Sequence, residues 1–194
     1  MSLIHDDGQL AMASEARRVL EARVGVAGLL PLLEQSGQFH LPFWQTAREQ
    51  GWCAMAVPEA HGGLGLGLVD QGLLALQIGR SLAGAPFLTG GWGVARALAK
   101  QAESEAATRW LPHLASGEAA GSVAFACGQD PLPRRAALSL KDGRLNGTAQ
   151  AVSGGGHADA LPARGGADGG PGPGGGPLAR GGRRPPPTRG KNPR

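Results

Sequence analysis

A glycine-rich segment, GGLGLG at residues 62–67, is the first candidate for chemistry in this chain of 194 residues. Glycine-rich turns allow backbone amides to approach phosphate groups closely. The spacing GGxGxG fits neither the dinucleotide fingerprint nor the P-loop, and no Lys-Ser or Lys-Thr pair follows it. The preferred interpretation is a structural connection between helices, and a nucleotide-binding loop is the alternative.

Ser153 is the second candidate, because AVSGG at 151–155 has the outline of a nucleophile elbow. Such an elbow needs glycines two residues before and two residues after the serine, and Ala151 replaces the first of them. A serine hydrolase would also need His157 and an acid held on an apolar scaffold. The preferred interpretation is that Ser153 ends a strand, and a hydrolase is the minor alternative.

Metal and thiol chemistry have little support in the sequence. The five histidines show no HxxH, HxxxH or Cys-His spacing, so no metal site is predicted. Cys53 and Cys127 form neither a CxxC pair nor a disulfide framework, and the N-terminus lacks the pattern of a signal peptide. These observations favour a reduced, cytoplasmic location. Because no window approaches about 18 consecutive apolar residues, no membrane span is predicted.

The positive charge of the chain is concentrated at its C-terminal end. Residues 161–194 contain 11 glycines, 8 prolines, 7 Lys or Arg and one acid, so this segment has a net charge of +6. Because the whole chain has a net charge of +4, residues 1–160 have a net charge of −2. Residues 1–160, which are predicted to fold, are therefore slightly acidic, and nucleic acid is not predicted as a partner. Non-specific binding of nucleic acid by the arginine-rich tail is the distant alternative. The composition of residues 161–194 predicts a disordered tail, because two leucines cannot offset the entropy of ordering its backbone.

The secondary-structure elements that position any site are predicted to be helices in the N-terminal part of the chain. Apolar residues recur at helical spacing in five segments: 14–35, where a disturbance is expected near Pro31, 43–50, 69–82, 93–102 and 104–115. The third segment is expected to be buried on most of its surface. In the last segment Ser104 is the expected N-cap, Trp110, Leu111 and Leu114 are expected to pack inside, and Pro112 is expected to break the final turn.

After residue 121 the period changes to that of strands. The predicted strands, separated by prolines and by an Asp-Gly turn, are SVAFAC, ALSL, RLNG and AQAVS. The order predicts an α+β arrangement, in which a mainly α N-terminal helical domain (1–118) leads into a partial β-domain (119–160). A disordered Gly/Pro/Arg tail (161–194) would follow.

Three longer segments carry combinations of residues that are specific when taken together. They are GWCAMAVPEAHGGLGLGLVD at 51–70, RWLPHLASGEAAGSVAF at 109–125 and KDGRLNGTAQAVSGGGHAD at 141–159. In this order they resemble the N-terminal half of an acyl-CoA dehydrogenase, over residues 10–160. The resemblance implies the N-terminal helical domain of that family and the beginning of its middle β-domain.

That resemblance also implies a function. Members of the family bind FAD and an acyl-CoA substrate, oxidise the α,β bond of the thioester, and usually pass electrons to an electron-transfer flavoprotein. A glutamate from a C-terminal helical bundle acts as the base, so no catalytic residue is assigned here. The segment around 89–102 would help to enclose the acyl chain, and the cofactor-binding positions would be Phe125, Gly128 and Ser153.

Two departures from the family pattern bear on the cofactor. Gly128 stands where a hydroxyl residue usually contacts the flavin, and Ala151 stands where a tryptophan commonly stacks beside it. The resemblance ends at Asp159, where the composition changes to Gly, Pro, Ala and Arg, which suggests a truncated chain with a frameshift near residue 160. A natural linker or basic tail is the alternative origin of that segment.

Two functional hypotheses follow from the resemblance. The first is an acyl-CoA dehydrogenase-like oxidoreductase, truncated and inactive on its own. The second is a non-catalytic helical subunit that binds a partner in a heteromeric dehydrogenase. Either hypothesis predicts a homo- or hetero-oligomer.

Overall fold

The structure, a computed structural model, describes residues 5–34, 40–82, 87–124, 138–142, 144–149, 152–155, 158–162, 165–167 and 178–180. Within these residues the α-helices are α1 (Asp7–Arg23), α2 (Leu41–Glu49), α3 (Leu68–Ser81), α4 (Val94–Ala99) and α5 (Glu105–Ala115). The strands are β1 (Leu138–Lys141), β2 (Arg144–Gly147), β3 (Ala160–Pro162), β4 (Gly165–Ala167) and β5 (Leu178–Arg180). The predicted fold class, a helical unit followed by the start of a β-domain, is confirmed.

Helix α1 begins seven residues before the predicted start. The Asp6 carboxylate accepts a hydrogen bond from the Gln9 amide at 2.7 Å, and the Gln9 side chain accepts one from the Asp6 amide at 3.2 Å. This capping box satisfies two of the unpaired N–H groups at the helix start. The predicted continuation to residue 35 is wrong, because the helix ends at Arg23 and 3₁₀ turns follow at Val26–Gly28 and Leu30–Glu34.

The helical unit has one apolar core, built mainly where α1 packs on α3 and α4 on α5. Helix α3 buries Gln71, Leu74 and Ile78. Its opposite face is exposed, with Leu68 at 66% and Leu76 at 56% of their full accessibility, so the expectation that α3 is buried on most of its surface is wrong. That exposed face is an apolar surface without a partner among the described residues.

Helix α5 has the predicted cap and core positions. The Ser104 hydroxyl accepts a hydrogen bond from the Ala107 amide at 3.1 Å. Leu111 and Leu114 are buried, and Trp110 is half-buried against the same core. The expected break at Pro112 is wrong, since the helix continues to Ala115 and the Pro112 carbonyl accepts a hydrogen bond from the Ser116 amide at 3.0 Å. A proline removes its own N–H from the helix but leaves its carbonyl available.

The strands form two small sheets among the described residues. In the first, the order is β2-β1-β4. Strands β1 and β2, which flank the predicted Asp-Gly turn, form an antiparallel hairpin with Lys141 opposite Arg144, and β4 pairs parallel to β1. In the second, β3 pairs antiparallel with β5. Residues 161–162, 165–167 and 178–180 of the later strands belong to the segment 161–194, whose predicted disorder stays a prediction. Three-residue backbone pairing needs no apolar side-chain pattern, so composition gives no sign of it.

Two predicted strands differ from the structure. Of SVAFAC at 122–127, the described residues 122–124 contain one isolated bridge, at Ala124, and another lies just before them at Gly121, while 125–127 lie outside the described residues. In AQAVS the described residues lie outside any strand, because the chain turns at Val152–Gly155. The described part of the chain has no helix long and apolar enough to cross a membrane.

Candidate functional site at the junction of helices and strands

The candidate site lies where the chain leaves α5 and enters the β-segment. Residues 119–124, the junction segment, lie against the π-helical turn Leu88–Gly93 that precedes α4. A Cβ atom placed on Gly90 would lie 2.2 Å from the carbonyl oxygen of Gly121, and one on Gly121 would lie 2.5 Å from that of Gly90. The two backbones therefore touch directly, and this contact requires glycine on both sides.

The π-helical turn is held by an aromatic cluster beneath it. The ring of Phe87 meets those of Phe43 and Trp92 edge to face, at centroid distances of 5.4 Å and 5.1 Å. The indole N–H of Trp92 donates a hydrogen bond to the carbonyl of Trp52 at 2.8 Å. Wide helical turns of this kind often mark functional sites. Here the turn replaces the first residue of the predicted helix 93–102 and extends helical structure back to residue 88.

The junction segment binds a second element, the turn Val152–Gly155. The Ser122 hydroxyl donates a hydrogen bond to the carbonyl of Ser153 at 2.6 Å. The turn is closed by the Gly155 amide, which donates to the Val152 carbonyl at 3.1 Å, and Gly154 has a φ of +71°. The positive φ explains the glycine at that position. The Ser153 side chain is exposed while its carbonyl is held.

A third contact joins the junction segment to the residues before β3. The Ala120 amide donates a hydrogen bond to the Asp159 carboxylate at 3.1 Å, and the Asp159 amide donates to the Ala120 carbonyl at 2.7 Å. Ala158 is buried beside this pair. Three consecutive residues of the junction segment therefore contact three different elements: the residues before β3, the π-helical turn and the Ser153 turn.

Of the cofactor-binding residues predicted from the sequence, Ser153 lies at this junction. Phe125 and Gly128 lie outside the described residues, so their predicted roles stay predictions. Sequence reasoning missed Ser122 and Asp159 as site residues. Their contacts join positions 31 and 39 apart, and no local spacing signals them.

The other candidates from the sequence give no chemical constellation. The 62–67 loop joins the 3₁₀ turn Glu59–His61 to α3, as predicted for a structural connection. Ser153 lies in a turn that no described helix follows, which differs from a nucleophile elbow, and His157 lies outside the described residues. Among described residues, no group of three or more His, Cys, Asp or Glu could hold a metal ion.

The environment of Cys53 makes its thiol unreactive. It is buried, and burial raises the pKa of its thiol to about 12, although the nearby Arg48 guanidinium opposes that rise. A thiol nucleophile needs a depressed pKa and access to solvent, so Cys53 is a core residue.

Further clefts lie elsewhere in the described part of the helical unit. One, of about 450 Å³, lies between α1 and α3 and is floored by Leu20 and Val24. Another, of about 460 Å³, lies between the loop 56–67 and α4 and is edged by Arg96 and Lys100. Neither is lined by the junction segment, so they are distinct from the candidate site.

Comparison with known proteins identifies the class. Residues 6–118 match the family model described as "Acyl-CoA dehydrogenase, N-terminal domain", which covers more than half of the chain. The chain therefore belongs to the acyl-CoA dehydrogenase family. The resemblance seen in the sequence motifs is confirmed by this match.

Two relatives from Mycobacterium tuberculosis illustrate the relationship. The chain is 38% identical to acyl-CoA dehydrogenase FadE28 over 120 residues, which are 60% of this chain and 34% of that protein. It is 32% identical to acyl-CoA dehydrogenase FadE27 over 132 residues, which are 68% of this chain and 35% of that protein. The chain thus spans about a third of the length of these relatives.

Solved structures show the same fold at lower identity. The ChsE4–ChsE5 complex from Mycobacterium tuberculosis matches with a TM-score of 0.71 at 22% identity, covering 87% of this chain and 46% of that one. A glutaryl-CoA dehydrogenase from Mycobacterium smegmatis in complex with FADH2 matches with a TM-score of 0.63 at 20% identity. The match covers 85% of this chain and 44% of that one. The helical unit and the first strands are therefore arranged as in these proteins.

Proposed function

We propose that this chain supplies the helical unit and the first strands of an FAD-dependent acyl-CoA dehydrogenase site, acting on the α,β bond of an acyl-CoA thioester. Family membership and fold support the reaction class. The observation that carries the proposal is the junction, where the Ser122–Ser153 hydrogen bond and the Gly90–Gly121 contact bring the π-helical turn and the Ser153 turn together. The π-helical turn would face the acyl chain, and the Ser153 turn would face the flavin.

The residues at the junction fit a flavin through polar contact. The exposed Ser153 hydroxyl can donate one hydrogen bond and accept others, which suits the polar edge of an isoalloxazine ring. Phe125 and Gly128 would complete the contact, with Gly128 offering its backbone alone. FAD would supply the hydride acceptor that no amino-acid side chain provides. The absence of an indole at Ala151 predicts weaker binding than in relatives that carry one.

We further propose that the chain does not turn over substrate alone. The Asp159 carboxylate at the junction accepts a hydrogen bond from the Ala120 amide, so it takes part in a structural contact. The base would come from outside the described residues, as in the family. Acyl-CoA, an electron-transfer flavoprotein and a second dehydrogenase subunit are the proposed partners, in the cytoplasm.

The test is titration of the purified chain with FAD, followed by flavin fluorescence, and then assay with a panel of acyl-CoA thioesters and an artificial electron acceptor. We expect saturable quenching of the flavin and no turnover. Turnover after rigorous purification would contradict the proposed inactivity. Absence of any flavin binding would contradict the proposed cofactor site.

The second candidate function is a non-catalytic subunit of a heteromeric dehydrogenase. The exposed apolar face of α3, with Leu68, Val69 and Leu76 each at least half exposed, favours it. The ChsE4–ChsE5 match is itself a complex of two proteins. Co-purification with a flavin-containing dehydrogenase subunit, by a chain that carries no flavin absorbance, would favour this function over the first.

A further inference from the structure

Ser122 differs from the other hydrogen-bonded buried polar side chains because its hydrogen-bond partner is far from it in the sequence. It is fully buried, and its hydroxyl donates to the Ser153 carbonyl 31 positions away. Thr46 donates to the carbonyl of Pro42 four residues earlier, and Gln71 to that of Leu66. The Ser122 bond is therefore a tertiary contact and does not belong to the local backbone.

Ser122 is itself rigidly placed. The residue before it touches Gly90 backbone to backbone, and Ala120 exchanges two hydrogen bonds with Asp159. Because Ser122 directly follows both contacts, its backbone has little freedom to follow a moving acceptor. Any rotation of the Ser153 peptide must therefore break the 2.6 Å hydrogen bond.

The acceptor lies at the centre of the turn. The Ser153 carbonyl belongs to the peptide that leads into Gly154, whose φ of +71° allows the turn. The hydrogen bond to this carbonyl and the closure of the turn at Gly155 together restrict rotation about the Cα–C bond of Ser153, and so restrict the direction of its Cα–Cβ bond, while its side chain stays exposed. The bond thus fixes the backbone and leaves the Ser153 hydroxyl available.

We propose that Ser122 is a positioning residue, whose buried hydroxyl sets the place of the Ser153 hydroxyl against the flavin. This inference rests on the proposed function for the identity of the ligand. Its geometric part, that Ser122 holds the turn, is independent of the flavin.

The test compares Ser122→Ala and Ser122→Cys with the matched control Ser139→Ala in the full chain. Ser139 also donates a hydroxyl to a backbone carbonyl, that of Asn146 at 3.4 Å, but within the β1–β2 hairpin. Hydrogen exchange of the Gly155 amide reports closure of the turn. We expect exchange to be roughly two- to tenfold faster in Ser122→Ala, the range for loss of one net hydrogen bond, with α5 amides unchanged.

Ser122→Cys should fall between the wild type and Ser122→Ala, because a thiol is a weak donor of similar size. Ser139→Ala should leave the Gly155 amide unchanged. An unchanged rate in Ser122→Ala, or equal acceleration in α5, would overturn the claim that Ser122 holds the turn.

FAD titration of the same variants separates the two claims. We expect Ser122→Ala to raise the Kd for FAD and Ser139→Ala to leave it unchanged. Faster exchange with an unchanged Kd would overturn the role toward the flavin. If the wild type binds no FAD, the proposed function fails, and the exchange rates still decide whether Ser122 holds the turn.

Discussion

Replacement of Gly90 by alanine is a sharp test of the junction, because the adjacent glycine provides a control on the same turn. In Gly90→Ala the new Cβ would lie 2.2 Å from the Gly121 carbonyl oxygen, while in Gly91→Ala it would meet the Phe87 ring at 3.7 Å, an ordinary contact. Real Cβ atoms essentially never approach closer than 3.0 Å. The two backbones at Gly90 and Gly121 must therefore separate by at least about 0.8 Å in the first variant alone.

The magnitude follows from what this separation disturbs. Overpacking a tight contact costs about 1–3 kcal/mol. Movement of Gly121 also pulls on the hydrogen bonds of Ala120 and Ser122, each contributing about 0.5–1.5 kcal/mol. We expect Gly90→Ala to lose about 2–5 kcal/mol of unfolding free energy. Gly91→Ala should be neutral or gain up to about 1 kcal/mol, because alanine loses less backbone entropy in a helical turn.

Thermal unfolding followed by circular dichroism measures the difference. For a chain of this size about 1 kcal/mol shifts the Tm by about 2–4 °C, so Gly90→Ala should melt roughly 4–24 °C lower than Gly91→Ala. Hydrogen exchange should show the Gly155 amide opening in Gly90→Ala alone. Equal melting temperatures for the two variants would refute the close approach of Gly90 to Gly121.

Three further predictions concern the helical unit. Leu111→Ala should lower the unfolding free energy by about 2–5 kcal/mol, because Leu111 is fully buried, whereas Leu76→Ala on the exposed face of α3 should change it by less than about 1 kcal/mol; denaturant titration checks both. Asp6→Ala should cost about 0.5–2 kcal/mol through loss of the α1 cap and should increase exchange of the Gln9 amide. The thiol of Cys53 has a pKa raised from 9.0 to about 12 in the folded chain, so its contribution to stability is complete below pH 9 and is lost as the pH rises towards 12. The urea midpoint of the wild type should therefore fall more steeply between pH 9 and 11 than that of Cys53→Ala, and alkylation of Cys53 at pH 8 should require unfolding.

The helical unit could be predicted where its signals are local. In α5 the N-cap Ser104 and the spacing of Ala107, Leu111 and Leu114 lie within one short segment, and the structure confirms them. The start of α1 was missed although Asp6 and Gln9 show the capping-box spacing, because the first two turns carry no strong apolar stripe. The helix end was missed for the opposite reason, since Val26 and Leu29 continue the spacing into residues that form 3₁₀ turns.

The junction could not be predicted from local pattern, because its contacts are between backbones and between distant segments. Gly90 and Gly121 approach as bare backbone, so neither position shows a hydrophobic period or a charge that could be read beforehand. Ser122 stands among small residues and resembles any serine in a strand until its partner Ser153 is placed. The resemblance to a family directed attention to Ser153, and only the tertiary fold showed what holds it. A site built on a direct contact between two glycines is intolerant of added volume at those positions, which is why Gly90→Ala, with no change of charge or polarity, is expected to damage it.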